Sequence, residues 1–197
     1  IESEIETKPE DLIEEAEKNL YQISEKGTSQ NQIQTFQTSV EEAIELAKKA
    51  FEKDSSVVGI SSDFTDLDAK LGGFHPSDLI IIAGRPSMGK TSLATNIAFN
   101  IARNAHISKD MDASVLFFSL EMSSEQLARR ILSEQARISS NDIRRGNLSE
   151  NDLDNLVSVS KDILEIPLFI DDTPAVNIGT LSSRARRLKR KNGLGAI

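Results

Sequence analysis

The chain has 197 residues, of which 38% are hydrophobic and 27% are charged, so it can bury a core and is not broadly disordered. It contains no cysteine, which excludes disulfides and thiolate metal sites and fits a reducing, cytoplasmic compartment. No run approaches the roughly 20 apolar residues that span a bilayer, and the acidic beginning is not typical of a signal peptide. Because the first residue is Ile rather than Met, we expect the chain to be part of a longer protein.

The net charge of −8 is unevenly distributed. Residues 1–54 contain 14 acidic and 6 basic residues, whereas residues 55–197 contain 17 of each. The acidity therefore belongs to the N-terminal segment, and the low isoelectric point does not exclude nucleic-acid binding by the rest of the chain.

The N-terminal segment has the pattern of two helices separated by a polar linker. A capping box and an apolar stripe predict a first helix over residues 7–26, and residues 28–38 are rich in Gln, Ser and Thr, which predicts a flexible linker. Ser39 and Glu42 form a second capping-box pattern, which predicts a helix over residues 39–53 with one apolar face. That face either packs on its own domain or docks on a neighbouring chain, and the pattern leaves both open.

From residue 55 onward, strand patterns alternate with helix patterns, which predicts an α/β fold with a parallel sheet flanked by helices. We therefore divide the chain into a helical tail over residues 1–27, a linker with its helix over residues 28–54, and an α/β domain over residues 55–197. The predicted buried strands are Leu79–Ala83, Val115–Phe118 and Leu168–Ile170, a fourth strand opens at Gly195–Ile197, and helices are predicted near 125–137, 151–164 and 181–191.

The strongest motif is GRPSMGKT, which begins at Gly84 and matches the phosphate-binding pattern G-x-x-x-x-G-K-[ST] in full. An apolar strand pattern precedes it and a helix pattern follows it, as the motif requires. Such a loop points backbone N–H groups at a triphosphate, the Lys90 ammonium contacts the β- and γ-phosphates, and the Thr91 hydroxyl is a ligand for Mg²⁺. The residues expected to bind ATP are Gly84, Arg85, Pro86, Ser87, Met88, Gly89, Lys90, Thr91 and Ser92.

Two acidic features follow predicted strands. Glu121 comes just after Val115–Phe118, where ligands of parallel sheets bind. It either activates a water beside the γ-phosphate, or caps or forms a salt bridge with the helix that follows. Asp171 and Asp172 end the next strand, and either hold Mg²⁺ or begin a turn; the pattern does not decide. A run of basic residues from Arg184 to Lys191 has two interpretations, a nucleic-acid contact or the solvated face of a helix, and we favour the solvated face.

These motifs together resemble the motor domain of bacterial replicative DNA helicases of the DnaB type. The resemblance covers nearly the whole chain, and the pair of RPSMGKT and FSLEMS is its most specific part. Residues 35–53 resemble the linker helix of that family, and residues 1–26 resemble the end of its N-terminal region. The matching segments of the motor domain are Gly59–Asp68, Leu71–Phe74, Asp78–Ile80, Gly84–Thr91, Phe118–Ser123, Gln126–Leu127 with Arg130, Ile143–Arg144 with Gly146, and Pro167–Asp172.

The resemblance implies a RecA-like P-loop ATPase that forms a ring, usually a hexamer, around single-stranded DNA, with primase and a helicase loader as partners. It implies that Glu121 is the catalytic base, that Lys90 and Thr91 contact the phosphates and the metal, and that the helix at 39–53 docks on a neighbouring subunit. It also implies that the Walker B aspartate, the arginine finger and the DNA-binding loops follow Ile197, so we expect this chain alone to be inactive. The alternatives are a RecA-like recombinase or signalling ATPase, and a non-catalytic nucleotide-dependent ring scaffold.

Overall fold

A computed structural model of the chain describes residues 35–52, 57–109 and 114–197. The helix predicted at residues 7–26 lies outside these ranges, as does most of the predicted linker. The chain divides into two compact units, one that ends at Glu52 and one that begins at Lys53. The predicted boundaries at residues 27 and 54 stay a prediction. None of the helices in the described ranges is both long and apolar enough to cross a membrane.

The first unit contains helix α1, Phe36–Glu52. It begins before the predicted start because Thr35 caps it: the Thr35 hydroxyl accepts a hydrogen bond from the Thr38 N–H at 3.3 Å. Ser39 lies inside the helix, and its hydroxyl donates to the Thr35 carbonyl. The prediction of Ser39 as the N-cap, with a linker through residue 38, was therefore wrong. Val40, Ile44 and Phe51, which belong to the predicted apolar face, are exposed.

The second unit alternates helices with a parallel two-stranded sheet, which confirms the predicted fold class. β1 and β2 pair in register from Val115 opposite Leu168 to Phe118 opposite Asp171. The elements in chain order are α2 (Thr65–Leu71), α3 (Lys90–Ser108), β1 (Val115–Phe118), α4 (Ser124–Ala136), α5 (Ser140–Arg145), α6 (Glu150–Ile163), β2 (Leu168–Asp171) and α7 (Ile178–Asn192).

Helix α3 supplies most of the core that lies against the sheet. Ala98, Ile101 and Ala102 on α3 pack with Val115 of β1, and all four are at most 6% exposed. Partly buried apolar residues complete this cluster on its margin: Ile60, Phe74, Ile97, Phe117, Ile166, Leu168 and Ala196. Because Lys90 and Thr91, the last two residues of the phosphate-binding motif, open α3, the core fixes the position of that motif's helix.

The segment Leu79–Ala83 does not form the predicted strand. It has no regular secondary structure, and Leu79 and Ile81 are 85% and 79% exposed. No backbone hydrogen bond pairs this segment with another strand of the described residues, and both edges of β1 are engaged elsewhere. The Val115 N–H donates to Pro167, beside β2, and the Leu116 N–H, which points to the opposite edge, donates to Ala196. The contact at Ala196 is a parallel bridge to Val115, which agrees with a strand opening at residues 195–197.

Candidate functional site

The phosphate loop, Gly84–Gly89, lies exposed directly before α3. Gly89 precedes the first helical residue with a φ of 84°, in the left-handed region that favours glycine. The loop is closed by its own backbone, because the Met88 N–H donates to the Arg85 carbonyl at 3.3 Å. Ser87 also has a positive φ, of 64°. The loop conformation is therefore set by residues within the motif itself.

Lys90 folds back over this loop. Its ammonium donates to the Gly84 carbonyl at 2.8 Å and to the Arg85 carbonyl at 3.2 Å. Thr91 follows in the first turn of α3, and its hydroxyl has no hydrogen-bond partner among the described residues. Both groups thus lie at the start of α3, where the helix has unpaired N–H donors and a positive dipole end.

The donor set of this site fits a nucleoside triphosphate with a divalent cation. Backbone N–H groups, one ammonium and one helix N-terminus suit phosphate oxygens, and a hydroxyl suits Mg²⁺. Every residue predicted for binding, from Gly84 to Ser92, lies in the phosphate loop or the first turn of α3. Of their side chains, that of Ser92 is hydrogen-bonded to another helix.

Glu121 lies in a second loop, Ser119–Ser123, which we call the Glu121 loop and which joins the end of β1 to α4. The loop is tightly hydrogen-bonded: the Ser119 hydroxyl donates to the Met122 carbonyl at 2.6 Å and accepts from the Met122 N–H at 3.2 Å. The Ser119 N–H donates to the Asp171 carbonyl at 2.9 Å, which ties the loop to β2. Ser119 is buried, whereas Glu121 is exposed.

The alternative role for Glu121, as a cap of α4, does not match its contacts. The α4 cap is Ser123, whose hydroxyl accepts from the Gln126 N–H, while the Gln126 side chain accepts from the Ser123 N–H. No hydrogen bond or ion pair joins Glu121 to another residue in the described ranges. The carboxylate is thus exposed and uncommitted at the C-terminal end of β1.

Two contacts connect α4 with the helix that follows the phosphate loop. The Arg130 guanidinium donates to the Ser92 hydroxyl at 3.2 Å, and the Asn96 side chain donates to the Glu134 carboxylate at 2.8 Å. Ser92 belongs to the first turn of α3, so the helix that begins after Glu121 is joined to the phosphate-binding turn. Sequence patterns did not reveal these contacts, because the partners are 38 residues apart.

Asp171 and Asp172 make contacts within the chain. The Asp171 carboxylate accepts from the Arg184 guanidinium and from the Thr173 N–H, and the hydrogen bond from Arg184 is the main reason that its pKa is lowered. The Asp172 carboxylate accepts from the Ser124 backbone N–H at 2.7 Å, and this bond lowers the pKa of Asp172. Both carboxylates therefore join secondary-structure elements, one β2 to α7 and the other β2 to α4.

Asp68 is a buried carboxylate that sequence patterns did not mark as functional. Burial raises its pKa, but hydrogen bonds from Ser61, Ser62 and Asp63 outweigh that effect, and the pKa lies below its ordinary value. The Ser61 and Ser62 hydroxyls each donate to it at 2.6 Å, and the Ser62 N–H donates at 2.9 Å. Its acceptor sites are thus used to hold the segment before α2, a structural role.

The basic residues of α7 lie on an exposed surface. Arg186, Arg187, Lys189, Arg190 and Lys191 are exposed, whereas Ala185 is buried and Leu181 and Leu188 are half-buried. This distribution is the one expected of a helix with a solvated face, the interpretation favoured from the sequence. It gives no indication of a nucleic-acid contact beyond the charge itself.

The parallel sheet, the Gly-Lys-Thr turn that opens α3 and the carboxylate after β1 define a P-loop protein of the α/β class. The family described as DnaB-like helicase C terminal domain matches residues 59–197. The chain belongs to that family, which confirms the resemblance noted in the sequence.

The chain is similar to curated replicative helicases of several bacteria. It is 43% identical over 199 residues to the replicative DNA helicase DnaB of Rickettsia conorii, covering 99% of the chain and 40% of that protein. It is 36% identical over 188 residues to the replicative DNA helicase DnaC of Bacillus subtilis, covering 95% of the chain and 40% of that protein. The chain therefore spans about two fifths of the length of these relatives.

Solved structures agree with this assignment. One solved ATPase domain matches with a TM-score of 0.68 and 27% identity over 79% of this chain and 54% of that one. A DnaB-like replicative helicase, whose structure was described with its interactions with primase, matches with the same TM-score and identity over 93% of this chain and 42% of that one.

Proposed function

We propose that the chain is part of the motor of an ATP-dependent replicative DNA helicase subunit, a ring-forming ATP hydrolase that unwinds duplex DNA. The observation that carries this proposal is the combination of two loops in a member of the DnaB-like family. One is the phosphate loop at the start of α3, and the other is the Glu121 loop, whose carboxylate is free of partners within the described residues.

In this proposal the chain's own groups have distinct roles. The Lys90 ammonium leaves the carbonyls of Gly84 and Arg85 to contact phosphate oxygens, and the Thr91 hydroxyl is a ligand for Mg²⁺. Bound ATP with Mg²⁺ supplies the phosphoryl group and a cation that offsets its negative charge. Glu121 orients a water molecule and accepts its proton, a task that suits a carboxylate that no cation of the described residues pairs with.

The proposed assembly is a ring, usually a hexamer, with single-stranded DNA, primase and a helicase loader as partners in the cytoplasm. Phe36, Val40, Ile44 and Phe51 of α1 are apolar and exposed among the described residues, which supports this. We propose that the helix predicted at residues 39–53 docks on a neighbouring subunit. A relative was described with its interactions with primase, which supports primase as a partner.

The test is ATP-dependent unwinding of a forked duplex by the full-length protein and by its Glu121→Gln variant. We expect the parent to unwind the duplex and the variant to lose hydrolysis by roughly 100-fold or more while it still binds nucleotide, because general-base catalysis contributes on the order of 10²–10⁴-fold. A matched control is Glu125→Gln, which changes an exposed glutamate on the first turn of α4 and should leave hydrolysis near the parental rate.

Two outcomes would contradict the proposal. A parent that hydrolyses ATP on single strands yet never separates the duplex would favour a recombinase-like or signalling ATPase. A parent that binds nucleotide and assembles but does not hydrolyse it would favour a ring scaffold.

A further inference from the structure

The end of β2 holds the Glu121 loop at two points. The Asp171 carbonyl accepts from the Ser119 N–H at the beginning of the loop, and the Asp172 carboxylate accepts from the Ser124 N–H just after its end. The first contact continues the parallel pairing of β1 and β2 by one residue and is made by backbone atoms alone. The second contact requires a side chain that can accept a hydrogen bond at position 172, so it depends on the identity of that residue.

We propose that Asp172 is a positioning residue for Glu121, holding the loop that carries this carboxylate at the end of the sheet. The inference rests on the proposed role of Glu121 as the base. Ser123 already caps α4 by accepting from Gln126, so Asp172 is a second acceptor at the same helix start. It differs from Ser123 because it lies just after β2, 48 residues from Ser124 in sequence. A local cap stabilises a helix, whereas this bond fixes where the helix begins relative to the sheet.

Helix α4 also contacts the beginning of α3, the helix that follows the phosphate loop. Arg130 and Glu134 join α4 to Ser92 and Asn96 on α3. Helix α4 is therefore held at its start by β2 and along its length by α3, and Glu121 lies immediately before that start. The hydrogen bond from Ser124 is the main reason that the pKa of Asp172 is lowered, as expected when an ionised carboxylate accepts such a bond.

The experiment compares Asp172→Ala with Asp152→Ala in the full-length protein. Asp152 is a matched control because its carboxylate also accepts hydrogen bonds at a helix start, from Ser149 at the beginning of α6, where it forms a capping box. We expect Asp172→Ala to lower kcat for ATP hydrolysis by roughly 10- to 100-fold with KM nearly unchanged, because small misplacements of a catalytic group have effects of that order. Asp152→Ala should change stability without changing kcat.

A second measurement does not depend on activity. Hydrogen exchange without nucleotide should become faster in a peptide covering residues 120–126 in Asp172→Ala, and in a peptide covering residues 149–155 in Asp152→Ala. Asp172→Asn retains an acceptor oxygen and should restore both slow exchange and most of kcat. In a Glu121→Gln background, Asp172→Ala should not reduce the residual rate further, because the group that it positions is gone.

The failures of this inference and of the proposed function are distinguishable. If Glu121→Gln hydrolyses ATP at the parental rate, the proposed base is wrong and nothing remains for Asp172 to position. If Glu121→Gln is impaired but Asp172→Ala is not, the inference alone is overturned. It is also overturned if Asp172→Ala lowers the rate equally in both backgrounds, or if Asp152→Ala lowers kcat to the same extent.

Discussion

The phosphate loop and the Glu121 loop are held in opposite ways. The phosphate loop is exposed and closed by contacts within residues 84–90, through the Lys90 ammonium and the Met88 N–H. The Glu121 loop is fixed by groups from β2 and by a buried serine. A loop that binds a ligand through its own backbone can be encoded in a short motif, whereas a loop that must place one carboxylate depends on distant parts of the fold.

This difference predicts that changes in the phosphate loop alter binding and leave stability unaffected. Lys90→Ala should weaken nucleotide binding on the order of 100-fold, about 2.7 kcal/mol, since hydrogen bonds to a charged group contribute at the upper end of the range for single bonds. The melting temperature without nucleotide should hardly change, because the hydrogen bonds of the Lys90 ammonium go to carbonyls of the exposed phosphate loop. Titration with a fluorescent ATP analogue and thermal melts measure the two effects.

Lys161→Ala is the control for this prediction, because Lys161 is exposed in the last turn of α6. It should affect neither binding nor stability. A large drop in the melting temperature of Lys90→Ala would show that the phosphate loop contributes to the fold, which would remove the contrast between the two loops.

Changes at the Glu121 loop should alter both stability and catalysis. Ser123→Ala removes the N-cap of α4 and should lower the free energy of unfolding by about 1 kcal/mol, the usual cost of such a cap. It should also lower kcat, because α4 begins immediately after the loop. Ser149→Ala removes the equivalent cap of α6 and should have the same effect on stability. Equal loss of kcat in both variants would mean that only overall stability matters.

The smallest expected effect concerns Asp171, whose carboxylate joins β2 to α7 through Arg184. The hydrogen bond from Arg184 lowers the pKa of Asp171 in the folded state, so the pair stabilises the fold above the ordinary carboxyl pKa, about 3.9, and loses this contribution as the pH falls through the lower folded value. We expect Asp171→Asn to be less stable by about 0.5 kcal/mol at pH 7, because Arg184 is partly exposed. Thermal melts between pH 7 and pH 3 should show this gap closing; a gap independent of pH would contradict the assignment.

Sequence patterns predicted the elements whose signals are local. Val115–Phe118 was predicted with its observed bounds, and the helices at α4, α6 and α7 were predicted to within a few residues, because apolar periodicity and capping residues act over one or two turns. The start of α1 was predicted too late, at Ser39, because Thr35, a residue of the same capping type, lies one turn earlier. The strand at Leu79–Ala83 failed for a different reason, since an apolar run becomes a strand only where a neighbour pairs with it.

The sequence by itself determined the phosphate-binding motif, the family and the α/β class, because each follows from short local patterns and from their order along the chain. Only the tertiary structure decided which hydrogen-bond partners Glu121, Asp171 and Asp172 have among the described residues. It left Glu121 without a hydrogen bond or ion pair among the described residues, paired Asp171 with Arg184, and joined the Asp172 carboxylate to the N–H of Ser124 at the start of α4. The three carboxylate groups are chemically alike. The role of each depends on which donor the fold brings within hydrogen-bond distance, and for Asp172 that donor lies 48 residues away.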